Sequence, residues 1–168
     1  MLEIINNLSP FFEDCYRRIS VREYAKLIKV SPPTASKILM EYNKEGLLKK
    51  QEDRNYLFFF ANKESRTFIE LSRIYWEDKL KEFVEEIEKT AVNPTIVLFG
   101  SLSKAETTSN SDVDIAIIAH KKELNMKDFE KKLKRDLQIF WFDSFNKISE
   151  ELRNNILNGH ILYGRVNI

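Results

Sequence analysis

Two aspartates separated by a single residue, Asp112 and Asp114, close a small, polar stretch that opens with Gly100-Ser101. Along a strand, carboxylates at alternate positions project from the same face. Side by side they repel one another unless a divalent cation sits between them. Mg²⁺ prefers hard oxygen ligands and binds through one or two carboxylates together with substrate phosphates. A glycine lets the backbone come close to a phosphate, and the Ser101 hydroxyl with nearby N–H groups could hold the β- and γ-phosphates of a triphosphate. The competing account is that the two aspartates merely border a strand after a polar loop.

These residues need a scaffold, and the pattern around them supplies one. Thr95–Phe99 is a short apolar run, Gly100–Ser111 is small and polar, and Val113–Ala119 is apolar again, a strand-turn-strand signature. Residues 127–137 predict an amphipathic helix, Leu137–Phe142 a strand, residues 149–158 a short helix and His160–Tyr163 a last extended piece. Upstream, Phe68, Leu71, Ile74, Tyr75, Leu80, Phe83, Val84 and Ile87 recur mainly at threes and fours, predicting one long helix over 65–91 that Asn93-Pro94 terminates. That helix either packs on its neighbours as a connector or pairs with a second copy of itself.

The N-terminal third has a different rhythm. Apolar residues from Ile4 to Ile19 lie on one helical face, with Pro10 as a possible break. Ser20 and Glu23 form a capping-box pair opening a helix Val21–Val30, with Tyr24, Ala25, Leu27 and Ile28 facing in. Ser31 caps a second helix with Pro32 at its first position, running to about Glu45 and stopping at Gly46. Two β-prone runs around a polar turn, Gln51–Asn55, follow as a hairpin. Over roughly residues 1–62 this order resembles the winged helix-turn-helix family. The resemblance implies that the helix Ser31–Glu45 enters the major groove of double-stranded DNA. Its outward side chains would be Pro33, Thr34, Ser36, Lys37 and Lys44, with Arg54 and Asn55 at the wing tip. The alternative for such a module is a solvated surface or a protein-interaction role.

Leu98-Phe99-Gly100-Ser101 followed by Ser111-Asp112-Val113-Asp114-Ile115 resembles the signature of the DNA polymerase β-like nucleotidyltransferases, over about residues 93–165. The resemblance implies Mg²⁺-dependent, two-metal transfer of a nucleoside monophosphate from an NTP to a hydroxyl acceptor. Asp112 and Asp114 would hold metal, while Gly100, Ser101, Lys104 and Ser111 would handle the triphosphate. The family pattern continues after Gly-Ser and one variable residue with Ala-Arg-Gly, where this chain has Ser103-Lys104-Ala105. Lys104 keeps the charge without the planar fork of arginine. A third carboxylate completes the family's site from a later strand. Here Leu137–Phe142 contains none, so Asp143 at its end is the candidate catalytic residue, unless Gln138 occupies that position as a neutral amide. Minimal members of the family often work beside a small helical partner protein.

Composition sets the remaining bounds. A net charge of +1 excludes a grossly basic nucleic-acid binder, so any DNA contact has to come from a local cluster. The single Cys15 rules out an internal disulfide and is expected in the core. No run approaches a membrane span, so no membrane association and a cytoplasmic location are expected. His120 and His160 have no ligand-spaced partner; Phe140-Trp141-Phe142 is expected in the core or at an oligomer contact. Lys131, Lys132, Lys134 and Arg135 are expected on a solvated helix face. The expected fold class is α+β: a winged helix-turn-helix over 1–64, a connecting helix over 65–92 and a small mixed α/β nucleotidyltransferase-like domain over 93–168. A homodimer is expected. The competing function is a transcriptional regulator whose transferase domain senses a nucleotide or is inactive.

Overall fold

The computed structural model describes residues 2–166 and divides them into two compact units. The first comprises residues up to Tyr75 with Ala105–Ser109, the second Trp76–Lys104 with Asn110 onward.

In the first unit, helix α1 (Glu3–Glu13) buries Ile5, Leu8, Phe11 and Phe12. It continues through Pro10, whose missing N–H leaves the Asn6 carbonyl without its helical donor. The Ser9 hydroxyl donates to that carbonyl at 2.7 Å instead. A two-residue strand β1 (Ile19–Ser20), which the pattern does not announce, leads into α2 (Val21–Leu27). Ser20 caps α2 by accepting from the Glu23 N–H at 3.3 Å. The helix is shorter than its periodicity suggests because Lys29 turns left-handed at φ 59°. Leu27, expected inside, is the last helical residue and is 44% exposed. Helix α3 (Pro32–Lys44) is capped by Ser31, and Gly46 at φ 73° turns the chain out of it.

The hairpin pairs β2 (Leu48–Asp53) with β3 (Tyr56–Ala61), and β1 adds on the other side of β3. The expected five-residue turn is in fact two residues, Arg54 and Asn55, both at positive φ. Gln51–Asp53 are drawn into the strand because a two-residue turn with two left-handed residues matches strand twist. Phe12 sits at the aromatic centre, 5.0 Å from the Phe68 ring and 5.4 Å from that of Tyr75. Substitution Ser20→Ala removes the α2 cap and is expected to lower stability by about 1 kcal/mol, measurable by chemical denaturation, with the hairpin retained.

Helix α4 (Arg66–Thr90) runs through the division between the units at Tyr75 and Trp76. Its inward stripe holds, with one correction: Ile74 is 45% exposed, while Trp76, absent from the periodic set, is 1% exposed. Among the described residues no helix is long and apolar enough to cross a membrane.

The second unit is built on a mixed four-stranded sheet ordered β6-β5-β4-β7, from β4 (Thr95–Phe99), β5 (Val113–Ile118), β6 (Leu137–Phe142) and β7 (His160–Tyr163). β4 is buried along its whole length, as a central strand covered on both faces must be. It pairs antiparallel with β5 and β7, while β5 and β6 run parallel. The parallel step requires a crossover, made by α6 (Lys127–Leu133). One face of the sheet packs Val97, Phe99 and Ala116 against Phe145, Ile148 and Ile156. Ile156 comes from α7 (Glu150–Leu157), and the short helix α5 (Gly100–Ser103) follows β4 directly.

Candidate active site

The end of β4 and the beginning of β5 lie side by side, since Phe99 is in register with Asp114. Gly100 therefore turns the chain at φ 71° directly beside the Asp114 carboxylate. A Cβ at this position would fall 3.1 Å from Asp114 Cγ and inside the contact radius of its Oδ2. No side chain other than hydrogen fits. Asp112 stands just before β5, and Val113, fully buried between the two aspartates, fixes which way the strand faces. The Asp114 carboxyl titrates above the ordinary carboxylate range, first because it is partly buried and then because Asp112 is close. That second cause is the electrostatic sign of two carboxylates sharing one site.

Around the pair, Ser101 is half-buried in α5 and the Ser103 hydroxyl donates to the Gly100 carbonyl at 2.9 Å, bracing the turn. Lys104 extends to within 3.5 Å of Asn155 Oδ1. Ala105, the departure from the family glycine, adopts the left-handed conformation at φ 55° although fully buried. The loop thus keeps a glycine-like turn at a conformational cost of about 1–2 kcal/mol.

The third position is occupied by Gln138. It lies across from Asp114 in the β5–β6 register, and its Nε2 donates to Asp112 Oδ2 at 2.6 Å. Asp143 is not brought to the pair. It follows Phe142, which pairs with Ile118 at the far end of β5, about five residues or 16 Å along the strand from Gln138. There its carboxylate bridges His120 Nδ1 at 3.2 Å and Lys147 Nζ at 2.9 Å, and these partners hold its pKa below the usual range. A parallel register of whole residues decides this: the carboxylate sits one step beyond the wrong end. Among the described residues no cluster of three or more metal-ligating side chains forms.

One residue of the site escapes sequence reasoning. Arg135, expected on a solvated helix face, is 8% exposed. α6 ends at Leu133, Lys134 turns left-handed at φ 56°, and the chain swings Arg135 inward. Its Nη1 donates to the Ser111 carbonyl at 2.7 Å, and its guanidinium lies 5.1 Å over the Trp76 ring. Arg135 thereby anchors the backbone that delivers Asp112. Only the helix end distinguishes it from the exposed lysines beside it. His160 Nε2 lies 3.0 Å from Glu77 Oε2, and His120 is a largely exposed strand-end residue.

The remaining predicted residues belong to the first unit. Pro33, Thr34, Lys37, Lys44, Arg54 and Asn55 are exposed and Ser36 is half-buried. The Thr34 hydroxyl is engaged with Ser31 Oγ at 2.8 Å, within the α3 cap.

A mixed sheet that places a glycine-serine turn against two alternating carboxylates defines a nucleotidyltransferase-type domain. The family comparison agrees: the model of the polymerase beta nucleotidyltransferase family matches residues 78–167, more than half of the chain, and the protein belongs to that family. Comparison with curated proteins and with solved structures gave no match.

Proposed function

We propose that the C-terminal domain (93–168) binds an NTP and transfers its nucleoside monophosphate to a hydroxyl acceptor, with pyrophosphate leaving as the α–β phosphoanhydride bond breaks. The observation that carries this is the Asp112/Asp114 pair set against the Gly100 turn, where the missing Cβ lets the Asp114 carboxylate close on the backbone. The donor set fits a hard divalent cation: two neighbouring carboxylates, one with a raised pKa, gain from a positive charge between them. Asp112 and Asp114 would hold Mg²⁺, which when bound neutralises phosphate charge during transfer. Gly100 gives the Asp114 carboxylate its place against the turn, Ser101 and Ser111 offer hydroxyl donors, and Lys104 offers a cation for the outer phosphates of the triphosphate. Arg135 holds the Ser111 carbonyl still, so the loop presents Asp112 in one orientation.

A second reading rests on Gln138. Its amide, not a carboxylate, meets Asp112, so the site offers no third acid to a second cation and no base to an attacking hydroxyl. This favours a nucleotide-sensing regulator with slow or absent transfer. In both readings the N-terminal module (1–64), followed by the connecting helix (65–92), is a winged helix-turn-helix. The helix, strand, helix, helix, hairpin order supports it, and so do exposed Lys37, Lys44 and Arg54. It would read double-stranded DNA through α3 and the Arg54–Asn55 turn.

The two readings separate in one titration series. Each NTP is added to the full chain with and without Mg²⁺ by calorimetry, followed by a search for label transfer from an α-labelled NTP. Binding with transfer supports the enzyme, binding without transfer supports the sensor, and no binding at millimolar Mg²⁺ removes both. Gln138→Glu restores a third acid: it is expected to raise Mg²⁺ affinity about tenfold, the effect of roughly 1.4 kcal/mol from one added charge in a partly solvated site. It is also expected to lower the melting temperature without metal, by carboxylate repulsion, and to recover it with Mg²⁺.

A further inference from the structure

The outer face of the three-stranded sheet in the first unit is aromatic where a sheet of this kind is normally polar. Along β3, Phe59 and Ala61 point inward and are 0% and 3% exposed. The alternate residues Tyr56, Phe58 and Phe60 point the other way; Tyr56 is 61% exposed and both phenylalanines are only partly covered. Period-two patterning alone would place polar residues there.

Cations surround these rings. The Arg18 guanidinium lies 4.8 Å over the Phe58 ring, and Lys63 Nζ lies 3.6 Å over the exposed Tyr16 ring. Lys49 on β2 stands opposite Phe60 in register, and Gln51 opposite Phe58. Tyr16, Arg18, Lys49, Gln51, Phe60 and Lys63 line part of a shallow cavity of about 310 Å³. Two carboxylates share the surface, Glu64 against Lys49 at 2.6 Å and Asp53 against Arg18 at 3.5 Å. Both are exposed pairs of the kind that contributes little and exchanges readily for another anion.

We propose that this face binds single-stranded nucleic acid, with bases stacked on Tyr56, on Phe60 and on the Arg18 guanidinium that lies over Phe58, and phosphates against Lys49 and Lys63. Successive rings are two residues apart, about 6.7 Å along the strand, enough for one base against each. A single strand is the polymer that offers both unstacked π-faces and regularly spaced negative charge. A duplex hides its base faces, and an apolar protein surface would leave the cation rim without a counter-charge. This surface is separate from the α3 residues proposed to contact duplex DNA, and it stands whether or not the transferase site is active.

The test is fluorescence anisotropy of the full chain at low salt with labelled dT12, labelled rU12, and a 12-base-pair duplex. Wild type is expected to bind a single strand more tightly than the duplex, with the relative affinity for dT12 and rU12 identifying DNA or RNA as the source. Tyr56→Leu/Phe60→Leu keeps apolar bulk but removes the two uncovered π-faces, and is expected to weaken single-strand binding about tenfold per ring. Lys63→Gln, a surface change that leaves the sheet intact, should lower the salt dependence of binding by close to one ion. Lys122→Gln, an exposed change in the second unit, should leave single-strand binding unchanged. The proposal is overturned if wild type binds neither single strand, if it binds only the duplex, or if Lys63→Gln and the leucine variant both bind as wild type does.

Discussion

The Asp112→Asn/Asp114→Asn double variant is expected to lose metal-dependent NTP binding by at least about 100-fold, the scale on which loss of a preorganised charged group acts, while melting at a higher temperature than wild type. The two effects have one origin. Asp114 is partly buried beside Asp112, so its ionised form is disfavoured in the folded state and its pKa is raised. A carboxyl whose folded pKa lies above its unfolded value binds protons better when folded. Its favourable contribution is present in acid and disappears as pH rises through the folded pKa; at neutral pH the charged group is a net cost. Asparagine removes that cost and keeps an oxygen to accept from Gln138 Nε2. The stability gap between variant and wild type should therefore be largest at neutral pH and close as pH falls below the ordinary carboxylate range. Thermal melts across pH, paired with calorimetric titration of NTP and Mg²⁺, measure both effects on the same samples. A variant that melts lower than wild type at neutral pH would show that the carboxylates are structural and not held for a cation.

Gly100→Ala carries the other large effect. At φ 71° an alanine pays the left-handed penalty, and its Cβ is driven into the Asp114 carboxylate. Conformational strain of about 1–2 kcal/mol and overpacking of about 1–3 kcal/mol combine to roughly 2–5 kcal/mol, enough to lower the melting temperature on the order of 10 °C. The carboxylate has to rotate or the turn has to open, so nucleotide binding should fall together with stability. Gly46→Ala is the control. It has the same positive φ, 73°, but nothing lies within 4 Å of the added Cβ. It should cost about 1 kcal/mol and leave nucleotide binding intact. If the two variants bind NTP equally well, the close approach of Gly100 to Asp114 has no functional role.

The sites differ in how far local sequence could reveal them. Gly100, Asp112 and Asp114 are legible because a turn residue and alternate strand positions have local rules: a glycine permits the positive φ, and period two puts both carboxylates on one face. The caps Ser20 and Ser31, the left-handed Gly46 and the long stripe of α4 follow from equally short-range chemistry. The ends of α2 and α6 do not. Both stop at a lysine in the left-handed conformation, Lys29 and Lys134, which no propensity announces.

Those ends have consequences for the site and its surroundings. The early stop of α6 turns Arg135 from a solvated residue into the anchor of Ser111, and the early stop of α2 falls at Leu27, which is exposed. The division of the chain is also tertiary, since Ala105–Ser109 group with the first unit although they lie in sequence between the glycine turn and the aspartates.

By itself, the sequence determined the strand-turn-strand carrying Gly100, Asp112 and Asp114, because the distances involved are set by a few bonds. Only the tertiary structure decided what stands opposite them. The β5–β6 register puts the Gln138 amide, not the Asp143 carboxylate, at the third position. Strand register is a long-range choice, fixed when a whole apolar face is buried at once, and one strand's residues carry no record of which partner residue they will meet.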